Sequence, residues 1–286
     1  MPFLTYILHH YMYEVSYRIH RSNHKMTHTH MEEINMSHAG KVAIITGAGS
    51  GLGQAAALKL AEKGASIVVV DLVEETGLET VKQIEKLGSK AIFVQADVSK
   101  APEVENYVKK AVEEFGRIDM FFNNAGIAGP GIKLIEHTIE QFDQIIDINL
   151  RSVFYGLKYV ITEMLKTGGG SILNTASTAG IVGVPAVAPY AATKHGVVGL
   201  TRTAAIEYGK DNIRVNAIAP GTIETPMVVQ FGKDNPEVFK ATVDSIPSGR
   251  LGRPEEIANL VSFLLGDEAP YINGAVYPID GAVTAQ

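Results

Sequence analysis

From residue 41 on, apolar positions in this chain follow two alternating rhythms. Short unbroken runs at Val42 to Thr46, Ser66 to Val70, Ala91 to Gln95, Ile118 to Phe122, Ser171 to Thr175, Ile213 to Ala219 and Ala275 to Ile279 read as strands buried on both faces. Between them, apolar residues recur at helical spacing over Leu52 to Lys63 and near 74–87, 101–115, 138–166, 189–208 and 254–265. Thr138 with Gln141 marks a capping-box start, and Pro254 followed by Glu255 and Glu256 opens the last helix as the helix dipole prefers. The alternation predicts βαβ units, and hence an α/β fold with a doubly wound, mostly parallel seven-stranded sheet. At 286 residues such a sheet is one domain. Right-handed crossovers bring the loops after the strands to one sheet edge, where ligands bind near the reversal of strand order.

The first 39 residues have a different composition. All 28 glycines lie at or beyond Gly40, whereas seven of nine histidines and five of eight methionines come before it. We read 1–39 as a flexible, non-catalytic extension and 40–286 as the catalytic domain. Met31 or Met36 is a candidate natural start, and His24, His28 and His30 lack the carboxylate or cysteine partners of a metal site. The longest apolar stretch of the extension, Phe3 to Leu8, is far below the ~20 residues a bilayer requires.

Charge and cysteine content narrow the chemistry. With 25 basic and 31 acidic side chains the net charge is −6, so no basic field points to nucleic acid or anionic lipid. The expected location is the cytoplasm. There is no cysteine, which removes disulfides, thiolate zinc sites and thiol nucleophiles, and no metal site is expected.

The candidate chemistry follows the strands. After the first comes Thr46-Gly47-Ala48-Gly49-Ser50-Gly51-Leu52-Gly53, a TGxxxGxG turn. Its glycines let backbone approach a pyrophosphate that sits on the free N–H groups of the next helix. Asp71 ends the second strand, where a carboxylate accepts both ribose hydroxyls of an adenosine and repels a 2′-phosphate, favouring NAD over NADP; the alternative is a helix cap. Asp97 and Val98 follow the third strand, with Asp97 either accepting from an adenine amino group or capping. Asn123-Asn124-Ala125-Gly126 follows the fourth, its small residues permitting close cofactor approach and its amides able to tie strands together. Ser177 ends the fifth strand, and Tyr190 and Lys194 share a helix face four residues apart. A nearby ammonium favours phenolate, so Tyr190 can exchange a proton with a carbonyl or an alcohol.

With these motifs in order, residues 40–286 resemble the single-domain branch of the short-chain dehydrogenase/reductase family. The resemblance implies that Ser177 polarises the substrate oxygen, that Tyr190 is the general acid/base, and that Lys194 binds the nicotinamide ribose and lowers the tyrosine pKa. It implies that Asn149, otherwise a satisfied mid-helix polar residue, holds a water in the proton relay. Cofactor contacts then fall on Gly47, Ser50, Gly51, Leu52, Gly53, Asp71, Leu72, Asp97, Val98, Asn124, Ala125, Gly126, Tyr190, Lys194, Pro220, Gly221, Ile223 and Thr225. Gln54 departs from the pattern, standing where a basic residue is common, and nothing basic precedes Gly51.

The expected reaction is reversible hydride transfer with NAD(H). Ile181, Val182, Val184, Pro185, Val187, Met227 and Phe231 are expected to wall a pocket for a neutral apolar ketone or secondary alcohol, cyclic or aryl. The 222–250 segment reads as a mobile lid, and His195 as packing. The family likeness implies a homotetramer and raises the question of a magnesium site at the Gln286 carboxylate. A 3-oxoacyl thioester reductase and a non-catalytic dinucleotide sensor are the competing readings.

Overall fold

A computed structural model describes residues 37–285, so the 24–30 histidines and Gln286 lie outside the described residues. Strands β1 (Val42–Thr46), β2 (Ser66–Asp71), β3 (Ala91–Gln95), β4 (Met120–Asn123), β5 (Gly170–Thr175), β6 (Ile213–Pro220) and β7 (Val276–Ile279) pair in the order β3-β2-β1-β4-β5-β6-β7. Every pairing is parallel. The chain winds outward from β1 to β3, then returns to lay β4 on the other side of β1, and this reversal opens a crevice at the strands' carboxyl ends.

Successive strand residues feed opposite cores, which is why the runs are apolar without alternation. Ile44, Val68, Phe121 and Ile172 pack on one face against α3 (Ala101–Phe115), α5 (Ser152–Thr167) and α6 (Ala188–Tyr208). Ile45, Val69, Phe122 and Leu173 pack on the other against α1 (Gly51–Glu62) and α9 (Pro254–Leu265), with Ile84 of α2 (Glu74–Lys86) joining them. Residues from His38 onward make one compact unit.

Two stretches differ from the sequence reading. The helix expected over 138–166 begins as proposed: the Thr138 hydroxyl accepts from the Gln141 amide, and the Gln141 side chain accepts from the Thr138 N–H, opening α4 (Ile139–Ile146). A π turn at Asp147–Arg151 then interrupts it before α5. Such a turn inserts one extra residue and shifts the helical face, which a 3.6-residue pattern does not register. The second stretch, 222–250, contains α7 (Pro226–Asp234) and α8 (Pro236–Asp244), neither with a buried residue. Each starts on proline, and the Thr225 hydroxyl accepts from the Val228 amide to cap α7.

Gly53 packs α1 onto the turn that precedes it. A Cβ there would lie 2.1 Å from the Gly47 carbonyl oxygen and 2.7 Å from its carbon, main-chain atoms with no room to retreat. Gly53→Ala should cost roughly 1–3 kcal/mol in urea denaturation; an unchanged midpoint would contradict this packing.

Candidate active site

The crevice is stitched by hydroxyl and amide groups from three strands. The Thr46 hydroxyl at the end of β1 accepts from the amides of Asn124 (2.9 Å) and Ala125 (3.0 Å). The Asn124 side chain donates to the Thr46 carbonyl (3.0 Å) and accepts from the Thr175 hydroxyl on β5 (3.2 Å). The asparagine thus ties the neighbouring strands, as its position suggested. Gly47 is in left-handed conformation at φ 65°, which strains any side chain, and a Cβ there would lie a tight 3.2 Å from both Ala125 Cα and Asn124 Nδ2.

Asp71 is bound to main chain through both carboxylate oxygens. Its Oδ2 accepts from the Gly49 amide at 2.8 Å and its Oδ1 from the Val73 amide at 3.0 Å, so the carboxylate ties the glycine turn to the end of β2 and borders the cleft. Asp97 also borders the cleft, but its Oδ1 is engaged by the Ser99 amide (2.9 Å) and hydroxyl (2.6 Å) in a local turn; the N-cap of α3 is Lys100, so Asp97 is not the helix cap that was the alternative.

Across the crevice, β5 and α6 bring three side chains together. Ser177 caps the short 3-10 turn Thr178–Gly180 by accepting from the Ala179 amide. Tyr190 stands in the first turn of α6, and Lys194, one turn on, is buried with Nζ 5.5 Å from the Tyr190 ring centroid. Nζ donates to the Thr175 carbonyl at 2.7 Å. Burial pulls the Lys194 pKa down to about 8. Burial also raises the Tyr190 phenol above its ordinary value, with the Ser177 hydroxyl acting in the opposite direction. The expectation that the lysine would lower the tyrosine is thus corrected for the protein alone. Desolvation of the phenolate dominates, and the ammonium that would offset it is itself desolvated.

Asn149 sits in the π turn, fully buried. Its Oδ1 accepts from the Ile127 amide (2.8 Å) and its Nδ2 donates to the Ile127 carbonyl (2.7 Å), so it clamps main chain and does not line the cleft. A Cβ on Gly126 would lie 3.0 Å from Asn149 Oδ1 and 3.6 Å from Lys194 Nζ, so both groups meet behind that glycine.

These pieces border one cleft of about 600 Å³. It takes in every proposed cofactor position except Gly53, whose role is helix packing, and three of the four proposed catalytic residues, Asn149 being the exception. The sequence reading missed Ala96, Ile148, Thr175 and Ala176 as lining residues. Ala176 was legible as the neighbour of a strand-end serine, whereas Ile148 is brought to the cleft by the π turn. Of the apolar wall expected from 181–187, Met227 and Phe231, Met227 alone lines the cleft; Ile181 packs on a core cluster, and Val182, Val184 and Phe231 are exposed. His195 is exposed too, its ring nitrogen 2.9 Å from the Ala191 carbonyl, and not packed as expected.

The cleft suits a dinucleotide. No side chain caps the start of α1 and its first turn holds no acidic residue, so its N–H groups and positive dipole end are available to a pyrophosphate. The glycine floor admits close approach, and Asp71 lines the same cleft. A family model described as enoyl-(acyl carrier protein) reductase matches residues 47–284. A cyclohexanol dehydrogenase from Acinetobacter sp. (strain SE19) is 44% identical over 246 residues, 86% of this chain and 96% of that one. The chain belongs to the short-chain dehydrogenase/reductase family. A second member of this family, a levodione reductase from Leifsonia aquatica, is 48% identical over 255 residues, 86% of this chain and 94% of its own. A crystal structure of levodione reductase superposes with a TM-score of 0.83 at 46% identity, covering 86% and 98% of the two chains. A structure of NAD+-bound xylitol dehydrogenase gives 0.81 at 35%, covering 85% and 99%. Membership makes this chain an oxidoreductase that uses a nicotinamide dinucleotide. No described helix is long and apolar enough to cross a membrane.

The depressed Lys194 pKa has a measurable consequence. From about pH 8 up to the ordinary lysine range, the unfolded chain holds a proton that the folded chain has released, so stability rises with pH there. Below that window both states carry the charge and the burial cost is constant. Relative to Lys194→Met, the wild type should gain roughly 1–3 kcal/mol between pH ~7.5 and ~10 in urea denaturation; parallel curves would contradict the assignment.

Proposed function

We propose that the chain interconverts a neutral apolar ketone, cyclic or aryl, and its secondary alcohol, using NAD(H). The observation that carries this reading is the meeting of Ser177, Tyr190 and Lys194 in one cleft. Of the described residues that line it, Lys194 alone is cationic, and Ile127, Ile148 and Met227 add apolar surface. A phosphate or coenzyme A ester would call for basic groups on the rim. Relatives named for cyclohexanol and levodione support the substrate class.

When bound, the nicotinamide dinucleotide supplies or takes up the hydride. The Ser177 hydroxyl orients the carbonyl oxygen, and the Tyr190 phenol delivers the matching proton to that oxygen during reduction. Oxidation runs in reverse, with the tyrosine oxygen accepting the alcohol proton. Lys194, anchored on the Thr175 carbonyl, would hold the nicotinamide ribose, while Asn149 holds the Ile127 main chain at the edge of the cleft. Main chain at Ile223 and the Thr225 hydroxyl, both lining the cleft, would hold the carboxamide. Preference for NAD over NADP is supported by Asp71, a carboxylate held in place through both oxygens, with Leu72 and Val73 offering no base beside it. The same reading includes a cytoplasmic homotetramer, and exposed Phe154 on α5 and Ile206 on α6 are suited to subunit contacts.

A screen of alicyclic and aryl ketones followed by NADH absorbance tests the substrate class; reduction of an acetoacetyl thioester with failure on every ketone would favour the acyl reductase instead. NADPH should be poorer than NADH in kcat/KM by on the order of 10²-fold, since a phosphate beside Asp71 is a like-charge contact. Tyr190→Phe should lower kcat by roughly 10²–10⁴-fold with NADH binding retained; full activity would remove the general acid. With the phenol pKa raised, ketone reduction should hold steady through neutral pH and fall in alkali as the proton is lost. Alcohol oxidation, which needs the deprotonated oxygen, should climb with pH; profiles of opposite slope would refute the role.

A further inference from the structure

The chain leaves β7 at Ile279 and turns back on itself at once. Asp280 draws both carboxylate oxygens into that turn: Oδ1 accepts from the Ala282 amide (3.0 Å), and Oδ2 from the Thr284 amide (2.9 Å) and hydroxyl (2.6 Å). Gly281 and Ala282 are both left-handed, at φ 63° and 75°, a conformation that alanine keeps only when its surroundings hold it.

The turn lies between two limbs of the cleft. On one side is Gly221, which lines the cleft and donates from its amide to the Ile279 carbonyl at 3.0 Å. A Cβ there would lie 2.8 Å from Asp280 Cα and 2.9 Å from its Cβ. On the other side is the limb returning from α8. The Ser248 amide donates to the Gly281 carbonyl at 3.2 Å, and a Cβ on Gly281 would lie 2.4 Å from Ser248 Oγ and 2.9 Å from Ile246 Cγ2. The returning limb pairs in turn with the outgoing one. The Gly252 amide donates to the Thr222 carbonyl (3.1 Å) and the Glu224 amide to the Gly252 carbonyl (2.8 Å). Because α7 and α8 bury no residue of their own, these limbs set where the helices stand.

We infer that Asp280 is a positioning residue for substrate binding. Its carboxylate holds the C-terminal turn as a wedge between Gly221 and Ser248, and so fixes α7, which carries Met227 and Val228 to the cleft. A carboxylate suits the place because it accepts from three donors at once. An asparagine would keep one accepting oxygen and turn an N–H group toward the others. The substrate readout rests on the oxidoreductase reading above; the lid readout does not.

The test uses the full chain with Asp280→Ala, Asp280→Asn and Thr284→Val, the last removing only the hydroxyl bond. Ketone KM and kcat are measured together with the rate of tryptic cleavage at Lys233 and Lys240 in the NADH-bound protein. For Asp280→Ala we expect KM to rise about tenfold or more with kcat held within about threefold, and cleavage to speed up by a comparable factor. Asp280→Asn should fall between it and the wild type, and Thr284→Val should shift both readouts in the same direction by about twofold or more. Wild-type KM and cleavage rates in both Asp280→Ala and Thr284→Val would overturn the inference. So would kcat, KM and the thermal midpoint failing together, which would mark a purely structural part. If Asp280→Ala does not fold, Thr284→Val decides. A wild-type chain that reduces no ketone would refute the functional reading, while the cleavage rates would still judge the wedge.

Discussion

The structure turns on what happens where β1 and β4 lie side by side while their following segments run to opposite faces of the sheet. Parallel pairing there leaves the carboxyl ends of two strands with unpaired main-chain groups and a gap that no side chain from either core can reach. Thr46 and Asn124 meet those groups with a hydroxyl and an amide, and Thr175 extends the stitch to β5. The gap persists as a cleft because its own edges are satisfied. The glycine turn, Asp71, Asn124 and Thr175 border it from strand ends that this stitch links.

Within that cleft the electrostatics come from burial more than from pairing. Lys194 and Tyr190 sit close together, and burial pushes each toward its neutral form. A buried ammonium that shares a carbonyl with no carboxylate beside it is an expensive group to keep.

Most of this was legible in the chain. Continuous apolar runs such as Val42 to Thr46 could only be strands covered on both sides, and the glycine turn, Ser177, Tyr190 and Lys194 all follow strand ends, so topology alone brings them to one edge. What was not legible depended on departures from regular spacing. The π turn hid the split between Ile148, which faces the cleft, and Asn149, which faces inward. The Pro226 and Pro236 helix starts were masked by the polar, glycine-bearing composition around them. Sequence also could not show how far desolvation would outweigh the lysine at Tyr190, because that balance is a property of enclosed volume and not of residue identity.

The surplus residue in the helix between α4 and α5 has a wider consequence. Deleting it would restore unbroken i to i−4 bonding, yet would swing everything on one side by about 100° relative to the other. Asn149 would leave the Ile127 main chain, and α5 would present a different stripe to Phe121 and its neighbours. The most regular helix this segment could form is therefore not one the protein can use, and drift toward it is opposed from both the core and the cleft.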